Sequence, residues 1–220
     1  MKKISRSKEG SCIYCGIVGA MTDDHVPPKC LFTKPRLGLI TVPSCEQCNG
    51  SFKLDDEYFR LAITTGVDPK DFPIAIEAIH KLGTLEKIRF AKSMLSNMDR
   101  ERGDLYLDRA RMVRVIDRVI RGLFWHHQSR ALPTQADIRI VFTCFDEAPV
   151  DGMGIGSMVD ALERQHLHRI GEGIFSYRCV FESDQASGSA WYLNFFKKNE
   201  VLGIVGPHGR VASTRSNTKS

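Results

Sequence analysis

The chain has no run of apolar residues near the roughly 18 that a membrane span requires, and no apolar core follows the charged opening Met1-Lys2-Lys3. The expectation is a cytoplasmic protein with no membrane contact. There is no nucleotide-binding glycine loop, no nucleophile elbow and no internal repeat. P-loop and serine-hydrolase chemistry and solenoid architecture are therefore set aside. The seven cysteines are an odd number, which speaks against a disulfide framework. Metal binding or plain burial must explain them.

With 42% hydrophobic and 26% charged residues, the 220-residue chain has an ordinary globular composition. That length allows a small module and a larger body. The net charge of +5 is mild, but residues 109 to 130 hold six arginines and one aspartate. Glycine and proline punctuate residues 16 to 43 too often for a long helix, leaving extended pieces near Ile17-Val18 and from Leu39 to Val42 that read as a loose hairpin. A helical turn then starts at Cys45, with Ser44 as the expected N-cap. Helical spacing from Asp55 to Leu123, broken at Gly66 to Pro69, Gly83 and Gly103, predicts three or four helices. Beyond Pro133 come extended runs at 138–142, 174–181, 191–196 and 201–205, the last two as a hairpin. One more helix is expected over 155–169. The fold class is α+β, with modules at 10–60 (chemical), 61–131 (helical, with the arginine-rich helix), 132–208 (α+β, antiparallel sheet) and a basic tail at 209–220.

Cys12-x-x-Cys15 and Cys45-x-x-Cys48 are two thiolate pairs flanked by turn residues, and each spacing places two sulfurs about 3.5–4 Å apart, an edge of a tetrahedral zinc site. Four thiolates enclose an ion completely. Such a zinc is structural, leaving the chemistry to other groups. Cys30, Cys144 and Cys179 have no partner at ligand spacing and read as small buried residues.

Between the pairs lies Asp23-Asp24-His25-Val26-Pro27-Pro28, and Asn49 follows Cys48 directly. Aspartate and asparagine oxygens suit Mg²⁺, and a histidine suits a general base. Neighbouring strand residues face opposite ways, so Asp24 and His25 can share a phosphate only where the strand ends, an end that Pro27-Pro28 supplies. The order C-x-x-C, Asp-His, C-x-x-C-Asn resembles the zinc-bearing branch of the HNH endonuclease family, over about residues 12 to 57. The resemblance implies a ββα finger that hydrolyses DNA with one Mg²⁺ or Mn²⁺ ion. By that likeness His25 is the general base, Asp24 and Asn49 hold the divalent ion (with Asp23 a rival to Asp24), Cys12, Cys15, Cys45 and Cys48 hold structural zinc, and Lys53 is the basic residue after the site. The family's middle asparagine has no counterpart in Leu39 to Ser44, where Thr41 is the nearest substitute. A zinc-stabilised nucleic-acid-binding module without catalysis is the alternative.

Met112, Ile116, Val119 and Leu123 form a helical apolar stripe, and Arg111, Arg114, Arg118 and Arg121 line another face. Two readings of that row are open. It tracks a DNA backbone, or it pairs with the acids of residues 55 to 57. His126-His127 and His166/His168 carry no site, because adjacent histidines on a helix diverge by about 100°. The sheet edges near the C-terminus suit a homodimer.

Overall fold

In the computed structural model, residues 8–36, 38–65, 67–74, 107–143, 155–182 and 188–206 are described. The expected helices within 75–106, together with His80, Cys144 and the tail at 209–220, lie outside them.

Three antiparallel strands, β1 (Lys8–Ser11), β2 (Val18–Val26) and β3 (Ile40–Ser44), form a first sheet in the order β1-β2-β3. The loose hairpin is thus a regular one with His25 opposite Thr41 and Asp24 opposite Val42, and β1 is an addition. Helix α1 (Glu46–Ser51) follows at once, and a break at Phe52 separates it from α2 (Lys53–Thr64). The cap of α1 is Cys45 rather than Ser44: its sulfur accepts the Cys48 N–H at 3.4 Å.

Helix α3 (Arg109–Gln128) is capped by the Asp108 carboxylate, which accepts the Arg111 N–H at 3.2 Å. The second sheet has the antiparallel order β4-β8-β7-β6-β5, built from β4 (Ile138–Phe142), β5 (His168–Ile170), β6 (Phe175–Phe181), β7 (Ser189–Phe195) and β8 (Asn199–Val205). Helix α4 (Ile155–Glu163) stops earlier than expected. His168, expected on that helix, lies instead on edge strand β5, paired with Tyr177.

One buried apolar cluster runs from Cys12 to Val205 through α3. The apolar stripe of α3 is wider than the four residues read from the sequence: Val115, Ile120 and Phe124 are buried with them. A helix buried on so many sides lies between layers, and α3 touches both sheets. Glycine permits its closest approaches. A methyl at Gly122 would overlap Val26 Cγ2 and stand 3.0 Å from Cγ1, and one at Gly203 on β8 would overlap Ile120 Cδ1. Gly122→Ala should therefore cost about 1–3 kcal/mol by overpacking, measured as a lower urea midpoint at unchanged slope. An unaltered midpoint would mean that α3 does not seat on β2 in this way.

Among the described residues, no helix is long and apolar enough to cross a membrane.

Candidate metal centre and active site

The four cysteine sulfurs of residues 12, 15, 45 and 48 lie within 4.8 Å of one another, close enough to bind one metal ion. Backbone bonds shape the two knuckles: Gly16 N–H donates to Cys12 O at 2.9 Å, Ile13 N–H to Pro43 O at 3.1 Å, and Asn49 N–H to Cys45 O at 3.0 Å. Gly16 turns the first knuckle with φ of 76°, where a side chain would be strained. Burial works to raise the Cys12 thiol, but backbone N–H groups from Cys45, Cys15 and Tyr14 outweigh it and bring it down to about 6. A thiolate at neutral pH is what a soft-metal ligand requires. All four donors are sulfur, so the set fits a closed, structural zinc.

Strand alternation decides the rest. Thr22, Asp24 and Val26 point one way from β2 and Asp23 and His25 the other. Asp24 is only 6% exposed. Its Oδ2 accepts the Tyr14 hydroxyl at 2.8 Å and stands 3.8 Å from Arg118 Nε, while Oδ1 accepts the His25 backbone N–H at 2.9 Å. β2 continues as far as Val26, so the strand end that would turn Asp24 and His25 to one phosphate comes too late. Both oxygens of Asp24, the residue expected to ligate the divalent ion, are thus engaged inside the protein.

His25 is half-buried on the opposite, outer face with exposed Asp23. Burial first, and then the positive charge of Lys29, holds its imidazole below the usual value, against the opposing pull of Asp24 and Asp23. The ring is therefore neutral at neutral pH and able to accept a proton. Asn49 on α1 reaches back to β2, its Nδ2 donating to Thr22 Oγ1 at 2.9 Å and to Asp23 O at 3.5 Å. Its side-chain oxygen has no protein partner among the described residues. Asn49 thus bonds to Thr22 on the Asp24 side of β2, while the Asp23 side chain is on the His25 side.

Three of the four arginines in the row pair with acids of α2. Arg111 Nε and Arg114 Nε each meet an oxygen of Asp55 at 2.7 Å, and Arg118 Nη2 meets Asp56 Oδ1 at 2.6 Å. Arg121 binds Asp117 at 2.8 Å and three backbone carbonyls, those of Pro133, Thr134 and Ala136. Arg118 and Arg121 are buried, so neither can track a phosphate backbone. Lys53 is exposed at the start of α2. Sequence reasoning missed the loop between β2 and β3, where Lys29, Lys34 and Arg36 are exposed. Lys29 and Arg36 are near enough to His25 to oppose its protonation. Three basic residues within eleven positions after a candidate base were the available signal.

None of the protein-family models, curated proteins or solved structures compared with the chain matches it.

Proposed function

We propose that this protein is a metal-dependent endonuclease of HNH type that cleaves DNA, with His25 as its general base. The observation carrying this reading is the β2–β3 hairpin followed directly by α1 beside a four-cysteine cluster, with a neutral, half-exposed His25 on the same strand face as Asp23. Thr41, directly across from His25, stands where a residue orienting the base is needed.

His25 takes the proton of the attacking water as the new bond to phosphorus forms. The carboxylates of Asp23 and Asp24 favour the imidazolium that results. Asp24 acts as a positioning residue: holding the His25 N–H and the Tyr14 hydroxyl and facing Arg118 of α3, it ties β2 to the first knuckle and to α3. Lys29, Lys34 and Arg36 suit the flanking phosphates and carry no sequence information, so they hold register and not specificity. Asn49 and an aspartate of β2, Asp24 or its rival Asp23, would hold the divalent ion, whose chemistry is to stabilise negative charge on the phosphorane and on the leaving oxygen. The products would be 5′-phosphate and 3′-hydroxyl ends.

The test is nicking of supercoiled plasmid with Mg²⁺, with Mn²⁺ and with EDTA, using zinc-loaded proteins. His25→Ala should lose about 10²-fold or more of the rate, the usual contribution of a general base. The wild-type rate should rise with pH through a midpoint below the ~6.5 of a free imidazole, because the base works deprotonated and its own value is lowered. A fully active His25→Ala would sink the base. Salt-sensitive DNA binding by a wild type that cuts nothing would instead establish a non-catalytic binding module.

A further inference from the structure

A second group of metal-type side chains lies far along the sequence from the cysteine knuckles. His127 is in the last turn of α3, His168 is on β5 and Cys179 is on β6. Their ligand atoms all lie within 4.8 Å of one another. The end of α3 and the β5–β6 hairpin, remote from each other in sequence, converge here. His168 pairs with Tyr177 across the β5–β6 ladder, and Cys179, two residues on from Tyr177, shares its face of β6. The end of α3 lies against that face, bringing His127 Nε2 to 3.0 Å from the Tyr177 hydroxyl and 3.8 Å from Cys179 Sγ.

The sulfur–nitrogen separation is near the roughly 3.6 Å edge of a tetrahedron with Zn–N of 2.0–2.1 Å and Zn–S of 2.3 Å. The donors are two imidazoles and one thiol, with no carboxylate in the group. That chemistry disfavours Mg²⁺ and Ca²⁺, which take oxygen, and favours borderline to soft ions such as Zn²⁺. The walls are aromatic: the rings of Tyr177, Phe181 and Trp191 stand 5.7, 5.9 and 6.1 Å from that of His127. The His168 ring is stacked on Tyr177 at 4.6 Å and 10°, which fixes its plane. Two exposed imidazoles form the rim, His126 at 5.4 Å from His127 and His166 at 4.8 Å from His168, ring to ring. Adjacent helix positions cannot share an ion, and here they need not, because the partners of His127 come from the sheet.

We propose that His127, His168 and Cys179 form a second metal site, for a divalent ion of the zinc class, with a fourth position open to water or to His166. Three protein ligands with an open position are the pattern of a reactive zinc, in contrast to the closed four-sulfur site. Metal on Nε2 replaces the hydrogen bond to Tyr177 and leaves that hydroxyl beside the open position, able to donate to whatever the metal holds. The site depends neither on the nuclease reading nor on the cysteine cluster.

The test is metal stoichiometry of the full-length protein. Apo-protein prepared under reducing conditions is titrated with Co²⁺, then with Zn²⁺, against a chromophoric chelator that removes loosely held ions. Wild type should take up two equivalents. One should show the intense charge-transfer band of four thiolates, the other a weaker band with d–d absorption of a mixed nitrogen and sulfur set. His168→Gln and Cys179→Ser should each fall from two equivalents to one, keeping the four-thiolate spectrum. Wild type saturating at one equivalent overturns the proposal whatever the variants do. So do two equivalents retained in both variants. Should either variant fail to fold, judged by far-ultraviolet circular dichroism, the wild-type stoichiometry and spectrum still decide.

Discussion

Replacing Arg118 by methionine should destabilise the protein by about 3–5 kcal/mol, the cost of removing one partner from a buried ion pair. Arg118 is 2% exposed and is the cation between two carboxylates, Asp56 at 2.6 Å and Asp24 at 3.8 Å. Its guanidinium also lies over the Phe52 ring, 4.5 Å from the centroid. Without it, two carboxylates from different elements are left facing one another out of water. Burial already pushes Asp56 up to about 6 in spite of the pull of Arg118, so the loss of that charge must push it higher. The sign of the pH dependence follows. A carboxyl whose folded pKa exceeds its unfolded ~3.9 is destabilising when ionised, so the part of the deficit owed to Asp56 should be absent well below pH 6, where the group is neutral in both proteins, and grow as pH rises through about 6 towards the higher value of the variant. Urea midpoints of wild type and Arg118→Met across that range provide the measurement. Adding Asp24→Asn and Asp56→Asn to the variant should recover much of the loss at pH 7. A deficit independent of pH, with no recovery, would assign the effect to packing alone.

This network also shows what could be read from the sequence and what could not. The spacing of Arg111, Arg114, Arg118 and Arg121 correctly put them on one helical face, but spacing does not say what that face meets. It meets Asp55 and Asp56 in the first turn of α2, and β2 at Asp24. Those acids were legible as a helix start, yet their pairing is set by how α2 packs on α3. The same limit governs Asp24. Period-two alternation placed Asp24 and His25 on opposite faces, and which face is inner is decided by Gly122, which lets α3 come down on Val26 and so buries the residues sharing its side of β2.

Local chemistry was more transparent. The two C-x-x-C pairs, the hairpin from β7 to β8 and the apolar stripe of α3 are each carried by residues a few positions apart, and each is found where the spacing puts it. The misplaced cap of α1 is a displacement of one residue, caused by a sulfur able to accept an N–H as a hydroxyl does. His168 was the harder case. Leu167 to Ile170 is too short a run to separate a strand from a helix end, and only its pairing with Phe175 to Tyr177 makes it β5. Cys179 and His127, 52 residues apart, meet only because the end of α3 lies against β6.

Stripping the metal from the four-cysteine site should do more than loosen its own knuckles. Structural zinc in small fingers is worth roughly 10–16 kcal/mol of apparent folding energy, and the exposed turn from Cys15 to Val18 has little else to hold it, with Gly16 at positive φ. The ordered knuckle places Tyr14, whose hydroxyl is bound to Asp24 and whose ring packs edge-on against Phe52 at 5.3 Å. Burial, and then the Asp24 carboxylate, keeps that phenol protonated and therefore a donor. Loss of the knuckle thus removes a hydrogen bond from a buried carboxylate and the ring that packs on Phe52, itself stacked on Arg118, so the damage should pass along β2, the strand that carries His25. The second sheet packs on other faces of α3 and should persist. Cys15→Ser, or removal of the ion by a strong chelator, should therefore abolish hydrogen-exchange protection in β1, β2 and α1 and spare β6, β7 and β8. Protection lost uniformly would mean that the two sheets fold as one cooperative unit through α3. Protection unchanged in β2 would mean that α3 alone holds the strand, and that the knuckle is not what keeps Asp24 and His25 in place.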